Sequence, residues 1–181
     1  IELDAAQRLI FISGDLMSRL IPEIDKIAAY AKGERVSVKD VDAVASHIPE
    51  AVIFEMTELI SQKKYNSALS VLAELLSDKN NEPIAMTAML GLQMRKLYAA
   101  RLAIEQELGS KYVMEVCAIK YDYIASKLIA AARGFTLPQL IRAAELCGGA
   151  DYRMKSSGQD ARELLKEAVA RIAAGESKCI A

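Results

Sequence analysis

A general base or a metal ligand is most readily supplied by histidine, and the chain has one, His47, with no cysteine or second histidine near it in sequence. A lone imidazole lacks the partner that orients a base or completes a metal site, so His47 reads as a solvated loop residue. Three cysteines, Cys117, Cys147 and Cys179, are odd in number and widely spaced. That fits neither a disulfide framework nor zinc-ligand spacing, and it predicts thiols in a reducing compartment. The acid pairs Glu105/Glu107 and Asp40/Asp42 lie two residues apart. On a helix they point in different directions, cannot easily share a proton or a metal, and read as solvated faces.

Phosphate chemistry fares no better. Gly109, Ser110 and Lys111 keep only the end of a phosphate-binding loop, without its first glycine or a leading strand, and read as a helix break. Ser156, Ser157 and Gly158 lack the Gly-x-Ser-x-Gly frame of a nucleophile turn and read as an inter-helix loop. Lys111, Lys120, Lys127 and Arg133 outline a modest basic edge, with Tyr112, Tyr121 and Tyr123 as the aromatics available for stacking on bases. Yet 23 basic and 24 acidic residues leave a net charge of −1, so there is no bulk pull toward nucleic acid or an anionic membrane. No catalytic constellation, metal site or cofactor site is predicted.

The elements that carry these residues follow from periodicity. Apolar positions recur at three- and four-residue steps almost everywhere, with no sustained strand-like alternation, which predicts an all-α protein. With 52% hydrophobic and 26% charged residues, the chain can bury a sizeable core and is far from the signature of disorder. The pattern predicts helices over 3–13, 15–31 and 38–46, separated by Gly14 and by the turn Lys32, Gly33, Glu34, with Ser37 as an N-cap backed by Asp40. Pro22 should kink the second helix.

A boundary is expected at His47, Ile48, Pro49 and Glu50, because proline disfavours helix in the residue before it. Seven further helices are predicted over 51–62, 64–77, 82–108, 111–118, 121–133, 137–155 and 160–174, with Gly148 and Gly149 marking a bend in the sixth. Ala68, Leu72, Leu75 and Leu76 form one core stripe, and Leu164, Leu165, Ala168 and Ile172 another. The long helix differs. Met86, Leu90, Leu97, Ile104 and Leu108 line one face, but Ile84, Ala85, Ala88, Met89 and Leu92 lie off it, so its first half is apolar nearly all round. Such a helix is covered on several sides, by its own domain or by a partner.

Taken in order along the chain, the local signatures resemble the delta-subunit family of the bacterial DNA polymerase III clamp loader. The opening, Gly14, Asp15, Leu16, Arg19, Leu20, then Pro22 to Ile27 and Val36 to Val41, is similar to the small helical lid that follows an AAA+ core. Val52 to Met56, Ala68, Leu69, Asn81 to Pro83, Leu92 to Leu97, Lys127, Leu128, Ala131 to Thr136 and Ala150 to Gly158 resemble the family's collar domain. The resemblance implies a three-helix lid-like domain at 1–48 and a helical collar domain of about seven helices at 49–181.

It further implies assembly with the other clamp-loader subunits through the collar, in the complex that loads the sliding clamp on primed DNA. Clamp binding would belong only to an N-terminal module absent here, and DNA contact would be indirect or weak. The family's delta subunit does not itself hydrolyse ATP. Here Met17 stands where ATP-using relatives carry a nucleotide-sensing arginine, and a thioether offers no donor fork to a phosphate. Tyr121 departs from the proline often found before its helix.

No run of about 20 apolar residues suits a membrane span, and no signal peptide opens the chain, so a cytoplasmic protein is expected. A start at Ile1, close to a helical pattern, predicts a fragment whose preceding part is missing. The off-stripe residues Met89 and Leu92 are the candidate partner contacts. A free-standing helical adaptor is the alternative from another class; an all-α enzyme has no constellation behind it.

Overall fold

A computed structural model describes residues 1–31 and 35–175. The turn at 32–34 and Cys179 lie outside the described residues. Among those described, ten α-helices and no strand occur: α1 Leu3–Ser13, α2 Met17–Tyr30, α3 Val38–Val44, α4 Pro49–Ser61, α5 Tyr65–Ser77, α6 Pro83–Glu105, α7 Ser110–Val116, α8 Asp122–Ala132, α9 Leu137–Ser156 and α10 Ala161–Ala173. The chain divides into two compact units, Ile1–Val52 and the residues from Ile53 onward.

In the first unit, Ala5, Leu9 and Ile12 of α1 recur at four- and three-residue steps and meet Leu20 and Ile27 of α2 and Val41 of α3. Each large aliphatic side chain buried this way contributes about 1.5–3 kcal/mol. Gly14 ends α1 at φ 83°, ψ 172°, a region that essentially only glycine occupies, and its N–H still reaches the Ile10 carbonyl at 3.0 Å. The turn continues through extended Leu16, so α2 starts at Met17, two residues later than the periodicity predicts.

Pro22 lies inside α2 without ending it; the helix runs on to Tyr30, with Ser18 denied the amide that proline lacks. Ser37 behaves as expected: its N–H and hydroxyl both donate to the Asp40 carboxylate, at 2.9 and 2.7 Å. Pro49 begins α4 rather than preceding it, since a proline at the first helical position forfeits only an amide that has no intrahelical acceptor.

In the second unit α6 is the axis. Its side chains Met86, Leu90, Met94 and Leu97, spaced four, four and three apart, are 2% exposed or less. It packs against α9, α8, α7 and α10, and α10 also packs on α9 and α5. The two predicted stripes, Ala68/Leu72/Leu75/Leu76 and Leu164/Leu165/Ala168/Ile172, are buried. Helix α6 stops at Glu105, so Leu108 lies past its end and is exposed rather than part of the core stripe.

That early stop has a local cause. Glu107 takes φ 55°, the Leu108 N–H bonds the Ala103 carbonyl at 2.8 Å and the Glu107 N–H the Ile104 carbonyl at 3.3 Å, the paired bonds of a left-handed helix cap. The same cap closes α7 at Ala118 (φ 52°), and Lys63 (φ 60°) follows α4. Helix α9 runs unbroken through Gly148 and Gly149.

Candidate interaction surface

The residues with chemical potential are dispersed by the fold. His47 is exposed between α3 and α4. Glu105 pairs with Arg101 at 3.0 Å in α6, whereas Glu107 lies in the cap beyond it. Asp42 pairs with Arg8 at 2.7 Å, while Asp40 serves Ser37. Gly109 is the N-cap of α7, and the Ser110 hydroxyl donates to Asp122 at 2.7 Å.

Ser156 and Ser157 turn their hydroxyls onto the carbonyls of Tyr152 and Arg153, both at 2.7 Å, which ties them to the end of α9 instead of activating them. The Lys127 ammonium stands over the Tyr123 ring at 5.3 Å. Among the described residues, no group of three or more His, Cys, Asp or Glu side chains could hold a metal. No helix there is long and apolar enough to cross a membrane.

The thiols are also quiet. Burial pushes Cys147 up to about 12, with Arg95 pulling weakly the other way. Burial likewise raises Cys117, opposed by Lys96. Thiolate, the reactive form, is therefore suppressed at both.

What remains is a surface. Helix α6 is built from strong helix formers behind Pro83 at its first position. One face is fixed inward: beside the aliphatic row, Gly91 lets α9 approach until a Cβ there would lie 3.4 Å from Cβ of Cys147. Buried Gln93 donates to Thr57 at 3.3 Å, and Thr57 to the Phe54 carbonyl at 2.8 Å, so the polar groups on that side are satisfied from α4.

With those residues fixed inward, the off-stripe set turns outward. Ile84, Ala85, Ala88 and Leu92 are exposed, Leu92 at 46%, and Met89 is half-buried at the edge. They fall at steps of three and four and so form one continuous apolar strip over more than two turns. Scattered exposed apolar residues are ordinary, whereas a contiguous apolar strip marks contact sites. The sequence identified this set but could not tell which members the fold would cover.

Residues 50–172 match the family model for the DNA polymerase III delta subunit, C-terminal domain. The chain is 26% identical over 164 residues to the DNA polymerase III subunit delta of Bacillus subtilis, covering 90% of this chain and 47% of that protein. It is 29% identical over 129 residues to a protein of Aquifex aeolicus described as a probable DNA polymerase III subunit delta, covering 70% and 37%. The solved structure of the Bacillus subtilis DNA clamp loader delta protein superposes with a TM-score of 0.76 at 25% identity, covering 94% of this chain and 50% of that one. The chain thus spans half or less of the length of these relatives.

Proposed function

Since the matched span takes in more than half of its residues, the chain belongs to the family of C-terminal domains of the DNA polymerase III delta subunit, and from that premise we propose that it assembles a clamp loader. In this reading residues 49–181 are the collar domain, which joins the C-terminal domains of the other loader subunits, and 1–48 are a lid-like domain. The exposed apolar strip on α6, Ile84, Ala85, Ala88 and Leu92 with Met89 at its edge, carries the proposal. A helix with apolar residues on its solvent side is stable in water at working concentrations when a partner covers them.

The chemistry of the chain supports an assembly role over a catalytic one, because its candidate nucleophiles, acids and bases are scattered or bound to structural partners. The clamp contact and any nucleotide chemistry are assigned to the half of the relatives' length that this chain does not span. Cytoplasmic residence follows from the same reading.

The experiment is co-elution of the full-length delta subunit with the other loader subunits, alongside thermal unfolding of this chain. Leu92→Glu is expected to cost about 2–5 kcal/mol of association, the penalty of desolvating an unpaired charge, with the melting temperature unchanged. Met89→Glu, at the edge of the core, should lower both. Loss of fold with no selective loss of assembly would leave α6 as plain core.

A further inference from the structure

Helix α6 carries its charges at one end. Between Pro83 and Ile104 it contains no aspartate or glutamate, and its cations, Arg95, Lys96 and Arg101, all follow the apolar strip. Arg101 pairs with Glu105 at 3.0 Å. Arg95 and Lys96 have no ion pair and no side-chain hydrogen bond among the described residues. They come three and four residues after Leu92, so they flank the end of the strip one turn on. Arg95 is exposed and lies seven residues after Ala88 and eleven after Ile84, in line with the strip itself.

The Arg95 side chain does not extend straight into water. Its Nη1 lies 3.7 Å from where a Cβ on Gly91 would stand, so the guanidinium folds back along α6 into space that the glycine leaves. That holds a full charge within the strip, at the seam where Gly91 meets Cys147 of α9. In water the guanidinium is hydrated and needs no partner. Once the strip is covered it loses that water, and a desolvated charge is strongly unfavourable unless an anion pairs with it. Whatever covers the strip must therefore bring an acceptor to Arg95. A nucleic-acid backbone fits poorly, because interfaces with DNA are polar and strongly basic, whereas the exposed residues in line with Arg95 are Ile84 and Ala88, with Leu92 beside them. An apolar helix face that ends in a carboxylate fits both parts, since the guanidinium fork matches a carboxylate with two parallel hydrogen bonds.

We propose that the partner seated on α6 is a helix of another loader subunit whose apolar face lies on Ile84, Ala88 and Leu92 and whose aspartate or glutamate, about one turn beyond those contacts, pairs with Arg95. The proposal rests on the assembly reading and adds to it the chemistry of the partner and a residue that selects for it. From Ile84 to Leu92 the helix rises about 12 Å, and Arg95 lies about 4.5 Å further on, so about three turns of a partner helix cover both.

The test uses full-length delta subunit with the other loader subunits of the same organism, measuring the affinity of assembly at low and high salt and the thermal unfolding of the subunit alone. Arg95→Gln should weaken assembly about tenfold at low salt, and Arg95→Glu, which sets like charges against each other, roughly a hundredfold. The gap between the two should shrink severalfold at about 1 M salt, where exposed charges are screened beyond about 3 Å. Arg95→Lys keeps the charge without the fork and should weaken assembly less than Arg95→Gln. The melting temperature of the subunit alone should be unchanged in all three. Parent-like assembly by Arg95→Gln and Arg95→Glu, or an equal loss in both, with assembly lost in Leu92→Glu, overturns this inference and leaves the assembly reading standing. Parent-like assembly in those three variants overturns both. A melting temperature that falls in step with assembly makes Arg95 a support of α6 itself and overturns the inference. If Arg95→Gln spares assembly and weakens binding of the assembled loader to primed DNA, the anion is a phosphate and the carboxylate proposal fails.

Discussion

Gly134 packs its Cα directly against Ser61: a Cβ on Gly134 would lie 2.7 Å from Cβ of Ser61 and closer still to the Ser61 carbonyl oxygen. The turn after α8 thus closes onto the last residue of α4 through backbone contact. Its glycine is required by space, since its φ is not left-handed. Gly134→Ala should therefore destabilise the second unit by about 1–3 kcal/mol, the range for an overpacked site. Urea unfolding reads this as a lower midpoint at unchanged slope. A variant as stable as the parent would mean that the two segments are free to part.

The left-handed caps predict the opposite sign. Glu107 and Ala118 sit at φ 55° and 52° with a Cβ that this conformation disfavours by about 1–2 kcal/mol. Replacing either with glycine removes that strain and returns about 0.4–1 kcal/mol to the unfolded chain as entropy. A net gain of about 0.5–1 kcal/mol in thermal unfolding is expected for Glu107→Gly and for Ala118→Gly. A loss at both sites would contradict the cap assignment.

Acid should loosen the first unit. Burial pulls the Glu23 carboxyl up, but hydrogen bonds from Lys26 and from the Ser46 backbone and hydroxyl together outweigh it and hold it below its ordinary 4.5. Asp40 is held below 3.8 by the Ser37 hydroxyl and N–H. Carboxyls with depressed folded values give their full stabilisation above the unfolded values and lose it as pH falls through the folded ones. Protection factors of amides in α2 and α3, taken relative to the intrinsic exchange rate at each pH, should fall once pH drops below about 4, and Glu23→Gln should flatten that dependence. Protection there that stays constant down to pH 2 would rule out this linkage.

Cys147 provides the alkaline counterpart. With its thiol pushed up to about 12, the folded state keeps a proton that the unfolded chain releases near 9, so stability is full below 9 and declines as pH rises toward 12. Alkylation at pH 8 should spare Cys147 in native protein and label it on unfolding; fast labelling of the native protein would show that the α6–α9 contact opens readily.

Much of this architecture was readable from residue order alone. Three- and four-residue spacing dictated an all-α chain, and the two stripes on α5 and α10, legible from that spacing, proved to be core. Most helix ends fell within two residues of expectation where proline, glycine or a serine cap marked them. They failed where the signal was absent: α6 stops at Glu105 because Glu107, just beyond it, takes a conformation usual for glycine, and nothing in the residue types announces that.

Tertiary structure alone decided which apolar residues meet water. Periodicity reports a helix's faces only when they differ, and the first half of α6 is apolar on nearly every side. Its inward face was set by where α8, α9 and α10 pack, leaving Leu92 outside and Met89 at the edge. The glycines divide in the same way. Gly134 is needed for a contact with a residue more than seventy positions earlier in the chain, whereas a Cβ on Gly148 or Gly149 would meet no atom of the described residues within 4 Å. Hydrophobicity and propensity are properties of single residues and short windows, whereas burial and close approach depend on which distant segments the completed packing brings together.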